Sequence, residues 1–187
     1  KEGSREYALK PGDMLILDPH LVHCGTKASS CTYFYIHFYH DRMAECSAPE
    51  ELVKNELVSS RFAALQTDEC SIRKNPASPI LLPKHMHIGQ PGAVMQLTEL
   101  LEQIKASHYN HLEHFQLNTG CLFLQFLILL SRELTDSCLY EENFGLTGRS
   151  TRIIHDILTF FQSSYTEEIT SALIEQKYGC NYDYINR

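Results

Sequence analysis

Hydrophobic residues along the chain change their period twice. Over Cys31 to Tyr39 they alternate, with Tyr33, Tyr35 and His37 on one face and Phe34, Ile36 and Phe38 on the other. The run is dense in aromatic and β-branched residues and predicts a strand with an aliphatic face and a polar-aromatic face. Upstream, Tyr7 to Lys10 runs into Pro11-Gly12-Asp13, a turn sequence, and Met14 to Leu17 predicts a short apolar strand broken by Asp18-Pro19-His20. From Pro49 to Leu65 the spacing of Leu52, Val53, Leu57, Phe62 and Leu65 is helical, and Asn75 to Pro83 reads as loop. After Gln90-Pro91-Gly92 the period becomes decisively helical. Val94, Leu97, Leu101 and Ile104 are spaced 3, 4, 3, and Leu112, Phe115, Thr119, Leu122, Phe126 and Leu129 are spaced 3, 4, 3, 4, 3. These predict two heptad-like helices, joined near Ser107 to Asn110, that form an antiparallel pair.

Tyr140 to Ser150, with Asn143, Gly145 and Gly148, reads as a linker. Ile153, Ile154, Ile157, Leu158 and Phe161 then mark one amphipathic helix. Thr170 can N-cap a second, with Ile169 and Ile174 placed as a hydrophobic staple, and Gly179 ends it. Asn181 can cap a third. A helix ending in Gly, a short turn and a newly capped helix is the helix-turn-helix pattern, although three short helices also build modules that never touch DNA.

The 187 residues are 43% apolar and 21% charged, a globular composition. Net charge is −7, which taken alone argues against a nucleic-acid binder, because phosphate contacts need clustered Lys and Arg. The most apolar run, Cys121 to Leu130, is ten residues broken by Gln125, a buried-helix signature too short for a bilayer. Seven cysteines with no CxxC pair suit reduced thiols in a cytoplasm, several of them among apolar neighbours as buried thiols are. Lys1 opens a segment already reading as strand and Arg187 falls inside a predicted helix, so the chain is expected to be part of a longer protein.

Ten histidines raise a metal-centre alternative through the pairs His20/His23, His37/His40 and His85/His87. Against it, His85-x-His87 lacks the downstream Glu of a metal cupin and sits in a loop-like context, and His20 and His23 have opposite parity. His108, His111 and His114 span the helix junction and are expected to be exposed. No nucleophile elbow, P-loop or dinucleotide fingerprint appears, so no catalytic residue, metal or cofactor is assigned.

Ile169 to Arg187 resembles the first helix-turn-helix of AraC-type transcriptional regulators, and Ile153 to Tyr165 resembles the helix before it. Tyr7 to His23 and Tyr33 to Phe38 resemble the effector-binding cupin barrel of the same regulators. The helix pair at 93 to 136 falls where that family dimerises. One departure is Glu175, where the family usually has a small residue against the recognition helix. The resemblance implies that Asp183, Asn186 and Arg187 face the major groove. Arg187 could pair with guanine and Asn186 with adenine, while Asp183 could accept from cytosine or cap its helix. Tyr184 and Ile185 would pack inward. His23, Tyr33 and Tyr35 match barrel-lining positions, with His37 on the same face, and imidazole and phenol groups suit a small polar effector such as a sugar. The other reading of these four is plain core. Val94, Leu97, Leu101 and Ile104 are candidates for a dimer seam, or they pack within their own subunit against Leu122, Phe126 and Leu129.

The expected fold is therefore α+β. A partial cupin-like barrel (1–92) precedes dimerisation helices (93–139), a linker (140–150) and the truncated start of a helix-turn-helix domain (151–187). The expected function is a cytoplasmic, homodimeric, ligand-responsive bacterial transcription regulator, not an enzyme. Its partners would be operator DNA and a small effector such as a carbohydrate, with no membrane. A metal-dependent cupin enzyme and a helical protein-interaction module are the alternatives. If the family pattern holds, the gene continues past Arg187 with an apolar residue, Phe-Lys and a second helix-turn-helix.

Overall fold

The computed structural model describes residues 1–40, 43–46, 48–65, 79–140, 146–164 and 169–181. In order these form β1 (Asp13–Leu15), α1 (Glu50–Leu65), β2 (His85–His87), α2 (Pro91–Asn110), α3 (Phe115–Leu139), α4 (Leu146–Ser163) and α5 (Ser171–Tyr178). The architecture is mixed α+β, five helices and a two-stranded sheet among the described residues. The chain divides into two compact units, one of 1–47 with 80–134 and one of 48–79 with 135–187. The boundary falls inside α3.

In the first unit β1 and β2 pair antiparallel, with Asp13 opposite His87, Met14 opposite Met86 and Leu15 opposite His85. Backbone bonds from Ile88 N–H to the Gly12 carbonyl and from Ile16 N–H to the Lys84 carbonyl, both 2.9 Å, extend the ladder at each end. Gly12 makes the entry turn possible. Its φ is +87°, and an added Cβ would lie 2.9 Å from the Ile88 carbonyl oxygen. Glu2 is buried, takes the Lys84 ammonium at 2.8 Å and accepts from the Asp18 N–H at 2.6 Å. The Lys84 hydrogen bond, ahead of the Asp18 one, holds its carboxyl below the usual range.

The strand expected at 31–39 is a correction. The segment carries no ladder among the described residues. Its alternation nevertheless holds. Phe38 packs on Phe123 with ring centroids 4.8 Å apart, and Lys105 Nζ lies 5.8 Å from the Phe34 ring. Tyr33, Tyr35, His37 and Tyr39 point to the exposed side. Alternation encodes two faces, whereas a ladder also needs a neighbouring backbone, and that the local sequence does not specify.

Pro91 sits in the first turn of α2, where its missing N–H has no partner to lose. The buried stripe of α2 is Ala93, Leu97, Leu100 and Ile104. It lies one residue round from the predicted stripe, leaving Val94 and Leu101 on its half-buried flank. His111, left-handed at φ 48°, ends the helix. The Ser107 hydroxyl of α2 accepts from Asn118 Nδ2 at 2.8 Å and Thr119 Oγ1 at 3.0 Å of α3, tying the C-terminal end of one helix to the N-terminal end of the next. Gln96 and Leu100 share a second cleft with Gln125 and Leu129, so the two helices run antiparallel as the spacing predicts. By length and composition α3 could cross a membrane. Its C-terminal part, however, carries Arg132, Glu133 and Asp136, which a bilayer interior disfavours. Leu130, Thr135, Cys138 and Leu139 of α3 are buried against protein.

In the second unit α1 lies against α4. Among the described residues, Leu57 and Val58 of α1, Ile157 of α4 and Ile174 of α5 are its buried aliphatic residues, with Cys138 and Leu139 at the end of α3. Helix α4 begins at Leu146, inside the stretch read as linker from its glycines. Gly148 falls in its first turn, where a glycine costs a helix roughly 1 kcal/mol against alanine without ending it. Thr170 caps α5, its hydroxyl accepting from the Leu173 N–H at 3.3 Å, and Gly179 closes it at φ 63°, as predicted. Glu175 is exposed, and residues 182–187 of the expected recognition helix lie outside the described residues. Among the described cysteines only Cys138 is buried, with Cys180 half-buried. Cys24, Cys31, Cys46 and Cys121 are exposed, against the expectation of several buried thiols.

Candidate functional site

The densest polar chemistry sits on the β1–β2 pair. Opposed residues of an antiparallel pair share a face, so Asp13, Leu15, His85 and His87 point one way and Met14 and Met86 the other. The Asp13 side chain is 2% exposed, with Oδ1 2.6 Å from His87 Nδ1 and Oδ2 3.2 Å from His85 Nε2. The Lys10 N–H donates to Oδ2 at 3.0 Å, and the Tyr7 ring meets His85 edge-on at 6.0 Å. Burial pushes the Asp13 carboxyl up, but the bonds from Lys10, His87 and His85 outweigh it and bring it down to about 2. The carboxylate orients both rings through one nitrogen each. The second nitrogen of each half-exposed ring remains to hydrogen-bond a polar ligand.

This trio is what sequence reading missed. The two histidines stood in a loop-like context, and their partner lies 74 residues from His87. A period-two signal across His85-x-His87 was available, but not its pairing to Asp13. One nitrogen of each ring is aimed at the carboxylate, and among the described residues no group of three or more His, Cys, Asp or Glu is arranged to hold a metal.

Of the predicted effector residues, Tyr35 and His37 come together, ring centroids 4.5 Å apart and edge to face. Tyr33 and Tyr35 are 74% and 56% exposed, and His23 is exposed beside the N-terminal bridge to Glu2. These residues are neither core nor the wall of an enclosed cavity. Of the predicted seam, Leu97 and Ile104 are buried within the unit, and Val94 and Leu101 are half-buried. Asp183, Asn186 and Arg187 lie outside the described residues. His108, His111 and His114 are exposed, as expected. A cleft of about 420 Å³ at the α2–α3 turn, lined by Gln103, Asn110, Glu113 and Asn118 among others, is shaped around the Ser107 hydroxyl, whose bonds are already satisfied.

Residues 1–67 match the AraC-like ligand binding domain, a stretch that includes β1 and α1. The chain is also similar to an uncharacterized HTH-type transcriptional regulator, YisR, of Bacillus subtilis (strain 168). The two are 22% identical over 188 residues, which cover all of this chain and 58% of that protein. Together these matches bear out the resemblance to AraC-type regulators, and they point to a regulator rather than an enzyme. No solved structure matches the chain.

Proposed function

We propose that this chain is the effector-binding, dimerising and first DNA-reading portion of a cytoplasmic transcription regulator. A small polar effector, sugar-like in its hydroxyl chemistry, binds the N-terminal half. The observation that carries the reading is the chain order. A ligand-binding match at 1–67 is followed by an antiparallel helix pair and then by α4 and α5, with Thr170 and Gly179 bounding α5 as a helix-turn-helix requires. Boundaries near 1–92, 93–139 and 151–187 suit that division of labour. Two faces offer the effector hydrogen bonds and ring contacts: Asp13 with His85 and His87, and Tyr33, Tyr35 and His37 with His23. Asp183, Asn186 and Arg187 would read bases. A seam centred on the α2–α3 pair would join two copies, with Val94 and Leu101 more accessible to it than Leu97 and Ile104.

An effector shifts such a switch only by its difference in affinity for the two arrangements. A thermal-shift screen of the full-length regulator against sugars and related metabolites, paired with a mobility-shift titration on its own upstream DNA, tests both halves. A hit that also changes DNA affinity is the expected result. Arg187→Ala should weaken specific binding by about 1–3 kcal/mol and relax one base position. Upstream DNA bound no better than unrelated DNA would remove the reading.

A further inference from the structure

Helix α1 belongs to one part of the chain by sequence and to another by packing. It lies inside the ligand-binding match at 1–67, yet it is grouped with α4, α5 and the end of α3 rather than with β1 and β2. Its Leu57 and Val58 are buried, and it lies against α4, whose Ile157 is buried as well. Arg61, three residues on from Val58 and so on the same side of α1, pairs with Asp136 of α3 at 2.9 Å. The Asp136 oxygen it meets accepts no hydrogen bond of acceptable geometry, so the contact is an ion pair held by proximity. Two tyrosines lock the same corner. Tyr140, beyond the end of α3, donates to Asp156 Oδ1, and Tyr178 of α5 donates to the Asp156 carbonyl, both at 3.1 Å. Lys177 of α5 sits 3.6 Å from the Phe160 ring centroid of α4.

We infer that α1 is a strut lent by the ligand-binding part of the chain to the helices proposed to read DNA, so that its seating sets how firmly α4 and α5 are held. The physical reason is core size. Among their described residues α4 and α5 bury one aliphatic side chain each, Ile157 and Ile174, and so small a helical pair cannot close a core unaided. Leu57 and Val58 supply what is missing. In the chain, α1 follows the segment bearing Tyr33, Tyr35 and His37, with Glu50 only 13 residues beyond His37 and no other element between them among the described residues. The inference rests on the proposed function for what the helices do, and on packing alone for the coupling.

The test is hydrogen exchange by mass spectrometry on the intact regulator, comparing wild type, Arg61→Met, Asp136→Asn and the double variant. Arg61→Met is expected to speed exchange of α4 and α5 amides about tenfold and to leave α2 amides unchanged, with the double variant no faster than the worse single one. Unchanged α4 and α5 exchange in both single variants overturns the strut, and so does equal acceleration of α2, which reports global loosening. Mobility-shift titration of the same proteins separates the two ideas. If wild type ignores its upstream DNA, the functional reading falls while the exchange result still decides the coupling. If wild type binds, Arg61→Met should bind severalfold more weakly.

Discussion

Asp13 shows how one side chain organises the sheet. Its carboxyl titrates near 2 when folded against an ordinary value of 3.8, so its contribution to stability is complete above roughly pH 5 and fades as pH falls toward 2. Denaturant unfolding of the wild type at pH 5 and pH 2.5 should show that loss. Asp13→Asn should already be weaker at pH 5, by about 1–3 kcal/mol for bonds lost to a buried anion, and should change less between the two pH values. A variant that tracks the wild-type pH profile would mean the histidines do not depend on this carboxylate. Next to it, Gly12→Ala places a Cβ against the Ile88 carbonyl oxygen at a left-handed φ. It should cost about 1–3 kcal/mol in the same measurement, whereas Gly92→Ala, with open space around the added methyl, should cost almost nothing. The residue chemistry was partly legible. Pro11-Gly12-Asp13 announced a turn, but the service Asp13 performs for two rings on β2 depends on a strand register that local sequence does not encode.

At the scale of elements, helices were legible and strand pairing was not, for one reason: the strand expected at Met14 to Leu17 overlaps β1, but nothing local named its partner. A helix satisfies its backbone within itself, so the spacing of Leu52, Val53, Leu57 and Phe62 was enough to locate α1. A strand needs a partner elsewhere in the chain, so the alternation at 31–39 located two faces and no sheet. The stripe of α2 tests how finely a helix can be read. Leu97 belongs to both the predicted seam and the observed core. If it is core, Leu97→Ala should lower stability by about 2–5 kcal/mol at any protein concentration. If it is seam, the loss should shrink as concentration rises and dimers form again. Burial at 3% exposure sets the expected outcome as the first, and unfolding curves at two concentrations a hundredfold apart decide it.

At the scale of the whole molecule, charge and proposed function pull in opposite directions. The chain carries −7, and from Arg149 onward four Lys or Arg (149, 152, 177, 187) face five Asp or Glu (156, 167, 168, 175, 183). Sequence-independent DNA affinity comes from phosphate neutralisation and the counterions it releases, so its salt dependence counts the cations engaged. A chain with this balance engages few. The 187 residues alone should therefore bind DNA weakly, with a slope of log affinity against log salt shallower than about −3, well below that of regulators making six or more phosphate contacts. This chain spans 58% of the length of that relative, and any phosphate contacts that further sequence of that kind adds should steepen the slope. Fluorescence anisotropy of labelled upstream DNA between 50 and 200 mM salt, the range over which counterion release is commonly read, measures both slopes (roughly, from the same relation). Tight, strongly salt-dependent binding by the 187 residues themselves would place the phosphate contacts on a surface of this chain that its acidic balance conceals.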